Sequence, residues 1–500
     1  MNKLNKNNKR ALENNNIFEI IKTKNVNELT LLLQHHQKCS YHLKSIFIYL
    51  IEIDYEITII TTILNFINDF NYQVDNKIPL FTAVKQNNFK VANLLLQHNA
   101  DINFLNDHNE NILSFLFKSK KINKRQIHYL LNNNININTQ DDKGNTCLMN
   151  AIIFGNNEYV QILLNYYLYE SHNIIDILLY YKSNSKGVVE FIQRKISDQR
   201  KKINIDAKNR DYDTALILGC RLNNYDIVKQ LLYYGGIPIN DEGEDNKTAL
   251  IWAIYRENLD IIQLLLDYGA DINTKDFYGM SPLSHACQSG NYTLVEFLLN
   301  NGADINIKDN NDLSSLVYSI TNDNDKISKL LISRGIHINN TDHMGKIPLM
   351  WACQSNNVEI TKLLLDRGSD INHKDYHGVT SLMWACKLRN KYIVELLLER
   401  DANIHLEDEN NKTCLIYAIV YGNNDIIEYL LDHGCDINSK DKFGKSALFY
   451  AIEEDLEEIT EIFFNRGANL YDSDNNQRTI LDYIKENNNK DILKSYMKRI

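Results

Sequence analysis

The stretch "DFYGMSPLSHACQSGNYTLVEFLLNNGADINIK", residues 276–308, decides the fold. Ser281 and Pro282 open a first helix, the serine through a capping hydroxyl and the proline through a φ already set for the first turn. That helix is expected from Leu283 to about Gln288, and "SGN" breaks it. A second helix, expected over about 292–300, carries Leu294, Val295, Leu298 and Leu299 on one face at three- and four-residue spacing. Gly302 reads as a helix C-terminal glycine. "ADINIKD" is expected to be extended, and the D-x-x-G pattern is a tight-turn signal. The unit is therefore helix, turn, helix, hairpin loop.

The unit recurs. A marker leucine stands at Leu250, Leu283, Leu316, Leu349, Leu382, Leu415, Leu448 and Leu481, each step being 33 residues. An aspartate keeps the same register at Asp276, Asp309, Asp342, Asp375, Asp408, Asp441 and Asp474. The pentapeptide "LMWAC", at 349–353 and again at 382–386, is the same part of two successive units. A single unit cannot bury both of its helices, but stacked units share a continuous core.

Period and motif together resemble the ankyrin repeat. The family pattern runs D-x-x-G-x-T-P-L-H-x-A-A, then G-N, an I-V-x-L-L-L helix and G-A-D-I-N. It is carried here by "NKTALIWAI…LDIIQLLLDYGADIN" (246–273), "GKIPLMWACQSNNVEITKLLLDRGSDIN" (345–372) and "NKTCLIYAIVYGNNDIIEYLLDHGCDIN" (411–438). The resemblance implies an all-α fold, an α-solenoid of stacked repeats. The Asn- and Ile-rich style is similar to that of ankyrin repeat proteins of giant amoebal viruses, which implies a viral protein meeting host proteins.

Upstream the pattern is more worn. Leu80 and Leu113 are 33 apart, Leu148 follows after 35, and Leu216 only after a further 68, close to two units. Within that interval 174–197 reads as a degenerate helix pair. Residues 17–35 and 46–67 read as two more eroded pairs. The expected organisation is a polar disordered tail at 1–11 and degenerate ankyrin-like pairs at 12–74. Partly degenerate repeats follow at 75–209, irregular near 165–209, then regular repeats at 210–474 and a capping repeat at 475–500.

The 500 residues are 44% hydrophobic, with only 4 prolines, so a core can extend throughout. The net charge of −10, with both signs interspersed, argues against a general nucleic-acid binder. "MNKLNKNNKR" has no apolar run behind it and is not a secretory signal. The most apolar stretch, 46–67, contains Glu52, Asp54 and Glu56, which argues against a membrane span. The expectation is a monomeric protein, intracellular in the host cytoplasm, with no cofactor.

The candidate chemistry falls into repeat columns. Of the 8 cysteines, Cys220, Cys287, Cys353 and Cys386 stand four after a marker leucine, Cys147 and Cys414 immediately before one, and Cys435 in the alanine position of G-A-D-I-N. Equivalent columns in stacked helices lie about 10 Å apart, beyond disulfide reach. These seven are read as packing residues. "HHQKCSYH" gathers His35, His36, Cys39 and His42, a set zinc could use. His35, however, shares its register with His98 and His433 at helix ends, and that reading is preferred. Trp252, Trp351 and Trp384 join His285, Tyr318, Tyr417 and Tyr450 in the column two after the marker leucine. Each ring is expected to pack on its neighbour rather than form an exposed ladder. The D-I-N asparagines are expected to bond local backbone. No phosphate loop, metal-ligand set or catalytic triad is visible, and no catalytic, metal or cofactor residue is assigned.

The resemblance implies protein binding through hairpin tips and the concave face of the first helices. Specificity must lie in the varying columns. At the hairpins these hold Phe277, Tyr278, Met280, His343, Met344, Tyr376, His377, Val379 and Phe443; on the inner helices, Gln288, Gln354, Lys387 and Leu388. Two alternatives are weighed below a non-catalytic scaffold. One is an adaptor recruiting substrates to a host ubiquitin ligase. The other is an enzyme with an unrecognised domain within residues 1–75 or 165–209.

Overall fold

The structure is a computed structural model and describes residues 17, 20–35, 40–120, 122–164, 203–487 and 490–500. It divides into two units, Met1–Glu244 with Asp260–Gly269, and Asp245–Leu259 with Ala270–Ile500. The fold class is an all-α repeat solenoid, as the sequence leads one to expect.

In the second unit the deciding stretch forms helices Pro282–Ser289 and Tyr292–Asn300. Helices of 8 and 9 residues are too short to persist alone, so packing must hold them. The two helices pack on each other, and Leu283, Ala286 and Cys287 of the first and Leu294, Val295 and Leu298 of the second are all buried. The Ser281 hydroxyl accepts from the Ser284 amide at 3.2 Å, and the Asn291 side chain accepts from the Leu294 amide at 3.1 Å. A residue of positive φ makes the break between helices: Gly290 here, Asn356 and Arg389 in later repeats. The same pair recurs as Pro348–Gln354 with Val358–Asp366, Ser381–Lys387 with Lys391–Glu399, and Cys414–Val420 with Asn424–Asp432. Successive first helices pack on one another. Ile480–Glu486 and Lys490–Met497 stack on the preceding pair as the last layer.

Two ladders of hydrogen bonds join the loops of neighbouring repeats. At the tips, backbone amides of Asn310, His343, Tyr376, Glu409 and Lys442 donate to carbonyls of Tyr278, Asn311, Met344, His377 and Asn410, at 2.9–3.0 Å. Deeper in, the D-I-N asparagines, and Asn339 of the equivalent H-I-N, act across the repeat boundary. The Oδ1 atoms of Asn273, Asn306, Asn339 and Asn372 accept from the amides of Asp304, His337, Asp370 and Asn403, at 2.8–3.0 Å. This corrects the expectation of local bonding. The local amide is already taken by the aspartate two residues earlier, as where Asp304 Oδ1 accepts from Asn306 at 2.9 Å. The segment is also not extended: it turns at 305–306, and pairing is limited to isolated bridges such as Lys308↔Ser314.

In the first unit, Ser40–Glu52 and Ile57–Leu64 form a pair that breaks at Asp54, with a φ of 50°, so the three acids sit at an interhelix turn. Pro79–Lys85 with Phe89–Gln97, and Ile112–Lys118 with Lys124–Asn132, follow as full repeats. A correction concerns the interval between Leu148 and Leu216. The first helices Cys147–Phe154 and Ala215–Arg221 pack directly together. Both ladders also run straight across, from Arg210 N to Lys143 O at 2.8 Å and from Asn204 N to Asn138 Oδ1 at 2.9 Å. The extra period is thus an insertion, with no further repeat stacked between these two. The helix pair expected at 174–197 lies outside the described residues. The length arithmetic misleads because spacing counts residues, whereas stacking is decided by which surfaces meet.

Close approach of the tips restricts the turn glycines. Gly378 has φ +76°, and an added Cβ would lie 2.8 Å from the Glu409 amide nitrogen and 2.9 Å from Asp408 Cα. Gly302 has φ +89° with nothing within 4 Å. Gly302→Ala should therefore cost about 1 kcal/mol from backbone strain alone. Gly378→Ala should cost clearly more and raise amide exchange at Glu409, which chemical denaturation with hydrogen-exchange mass spectrometry will measure.

Candidate functional site

The hairpin aspartates are buried, and Asp276, Asp309, Asp342, Asp408, Asp441 and Asp474 use both oxygens, whereas Asp375 bonds the His377 and Val379 amides through Oδ1 alone. In Asp342, Oδ1 accepts from the amides of Met344 (2.8 Å) and Lys346 (2.9 Å), while Oδ2 accepts from Trp351 Nε1 at 2.9 Å. In other repeats the equivalent Oδ2 accepts from a tyrosine hydroxyl: Asp309 from Tyr318 (2.6 Å), Asp408 from Tyr417 (2.9 Å), Asp441 from Tyr450 (2.5 Å) and Asp474 from Tyr483 (2.8 Å). In these repeats the aromatic column is therefore a column of donors, although Trp384 Nε1 bonds no carboxylate. Burial first, and the carboxylate second, push the Tyr318 phenol above its ordinary range.

His285 is the imidazole form of this contact, its Nε2 lying 2.9 Å from Asp276 Oδ2. Taken alone the pair resembles a catalytic dyad. Its register shows that it does the work of Trp351 and Tyr318. Burial, which outweighs the attraction of Asp276, lowers the His285 pKa, so the neutral ring donates a hydrogen bond from Nε2–H to the carboxylate.

The rings do not stack directly as expected. Cations lie between them. Lys346 Nζ sits 4.8 Å from the Trp351 centroid and 4.2 Å from that of Trp384. Lys387 Nζ sits 4.8 Å from Trp384 and 5.2 Å from Tyr421. Lys445 similarly serves Tyr450 and Tyr483 at 5.6 and 5.0 Å. Successive first helices space the rings apart, and a long aliphatic stem from the hairpin (Lys346, Lys445) or from the first helix (Lys387) lies beside them.

The expected partner-binding residues divide. Phe277 (62%), Tyr278 (56%), Tyr376 (65%) and Phe443 (52%) are exposed at the tips, with His343, Met344 and His377. Met280 and Val379 are only 7% and 9% exposed, which removes them from the tips. Their amides close onto Asp276 and Asp375, turning the side chains under the hairpin. On the first helices Gln288 and Leu388 are exposed, and Gln354 and Lys387 half-buried. Gln354 Oε1 accepts from Lys346 Nζ at 3.2 Å, which makes hairpin and helix one continuous face. Sequence reasoning missed Lys346 and Lys412, although they stand in the same column as Met280 and Val379.

The seven cysteines of the described residues are free and buried. Burial pushes Cys147 up to about 11 and Cys353 up to about 12, far from a thiolate at neutral pH. Cys386, Cys414 and Cys435 occupy three different columns yet meet, and Cys414 is raised well above its ordinary range, first by a hydrogen bond with Cys386. Comparing equivalent columns cannot reveal such a contact. Among the described residues no group of three His, Cys, Asp or Glu side chains could hold a metal, and no helix is long and apolar enough to cross a membrane. His36 and Cys39 lie outside the described residues, as do the side chains of His35 and His42.

Two tests follow. Asp408→Ala removes an acceptor shared by the Asn410 and Lys412 amides and the Tyr417 hydroxyl, and should cost about 3 kcal/mol, against about 1 for Tyr417→Phe, in urea denaturation. For His285 the folded-state pKa lies below the unfolded one. Its contribution is full above about pH 6.5 and is lost as pH falls through that region, because the unfolded chain takes up the proton first. His285→Gln keeps a donor without titrating. The loss of stability between neutral and mildly acidic pH should be smaller in that variant.

A family model described as ankyrin repeats (3 copies) matches residues 81–176, 119–276, 216–309, 283–375 and 374–441. No curated protein matches the chain. With more than half of its length covered by matches that follow the helix pairs and hairpins described above, the chain belongs to the ankyrin repeat family.

Proposed function

We propose that the protein is a non-catalytic scaffold that binds a protein partner across its hairpin tips and first-helix face. Ankyrin repeats generally mediate protein–protein interaction. The observation that carries the reading is the continuity of Lys346, Gln354, Trp351 and Trp384, which joins hairpin and helix into one surface held by the stack. A surface so held loses little freedom on binding. Exposed Phe277, Tyr278, Tyr376 and Phe443 supply the large rigid side chains typical of interface anchors. In this reading the protein acts as a monomer inside a host cell, and host partners follow from the resemblance to amoebal-virus proteins alone.

Photo-crosslinking in host-cell extract tests the surface. A crosslinker at Tyr376 or Gln354 should capture one and the same partner. The same group at Lys362, exposed on the second helix Val358–Asp366, should not. Capture from Lys362 alone, or from neither side, would overturn the proposal.

A further inference from the structure

The hairpin column four after the aspartate carries Lys346, Lys412, Lys445 and Arg478, and the first-helix column five after the marker leucine faces it. In two of these four repeats an acid answers the cation. Lys445 pairs with Glu453 at 2.5 Å and Arg478 with Glu486 at 3.5 Å. In the first unit Lys118 stands in the helix column and pairs with Glu110 and Asp141, both at 2.7 Å. In three successive repeats the answering acid is missing. The helix column there holds Gln354, Lys387 and Val420.

Lys346, Lys387 and Lys412 are consequently in no ion pair, in a chain whose net charge is −10. The aspartates beneath form no ion pair with these lysines: Asp342 and Asp408 have both oxygens bonded to the turn and the column ring, and Asp375, bonded to the turn through Oδ1, is buried under the hairpin. Lys346 shows the deficit: burial, helped by Lys387, lowers its pKa despite Asp342 and Asp375. The ammonium groups lie over aromatic rings instead, Lys346 between Trp351 and Trp384, Lys387 between Trp384 and Tyr421, and Lys412 5.0 Å from Tyr450. Trp384 adds a further sign. Its Nε1 is buried without a partner, so this ring lacks the aspartate bond that anchors Trp351.

We infer that the first-helix face from Lys346 to Lys412 is the docking site for an acidic, extended segment of a protein partner. Carboxylates of that segment take the place of the missing acids, and its apolar atoms lie on Trp351, Trp384 and Tyr421. Successive first helices are about 10 Å apart, which sets acidic residues at about every third position of the bound segment. The inference rests on the scaffold reading and adds to it the chemistry of the partner.

A random-peptide display library selected on the full chain tests it. Selected peptides should be enriched in Asp and Glu at that spacing. Their binding should weaken with added salt, shift the tryptophan emission, and fall about tenfold in the triple variant Lys346→Gln, Lys387→Gln, Lys412→Gln. Lys362→Gln should leave affinity unchanged, and an unaltered thermal midpoint in both variants confirms folding. Enrichment without acidic residues, or affinity indifferent to the three lysines, would overturn the acidic docking site while leaving the scaffold standing. So would a single-stranded oligonucleotide that binds this face more tightly than any peptide. Selection of no peptide at all would count against both.

Discussion

The buried aspartate at the head of each hairpin is the constraint on which the remaining architecture depends. One of its oxygens closes the turn by taking two backbone amides, and the other reaches the first helix through the ring nine residues later. A charge taken out of water is costly unless every lone pair is used, and here the turn and the helix must both be in place to use them. Turn, helix and carboxylate are therefore mutually dependent. Tryptophan, tyrosine and histidine are interchangeable in the ring position because each supplies a flat apolar body and one donor at its edge.

From this arrangement the inter-repeat contacts follow. A hairpin of fixed shape presents the same amide and carbonyl at each tip, so one repeat's tip can bond the next without adjustment. The asparagine ladder repeats the logic one layer down. Both ladders continue across the point where the chain departs from its period, which identifies the extra length there as an insertion. The functional face is built on the same frame. Lys346 and Lys412 stand where the turn directs its fourth residue inward, Lys387 projects from the first helix, and none of the three forms an ion pair among the described residues.

Much of this was legible in the residues themselves. The helix pairs, their capping serine, the break before the second helix and the assignment of cysteines to buried columns all depend on local chemistry and a period of 33. The exposed tips Phe277, Tyr278, Tyr376 and Phe443 were also legible, because a turn residue next to the aspartate has nowhere to go but outward. Met280 and Val379 were misplaced because they vary as tip residues do, yet their amides bind the carboxylate and draw them under the loop.

By itself the sequence determined the repeat, its family, its helices and its core, because periodic local patterns encode which face of each short helix is apolar. The tertiary structure alone decided what the columns do to one another. It showed that most rings of the aromatic column bond the hairpin aspartates, that Lys346 and Lys445 lie between successive rings, and that the D-I-N asparagines hold the neighbouring repeat. It also brought Cys386, Cys414 and Cys435 together from three columns. The physical reason is common to these cases. Each contact joins residues from different columns or different repeats, and its existence depends on distances between stacked elements that a one-dimensional period does not contain.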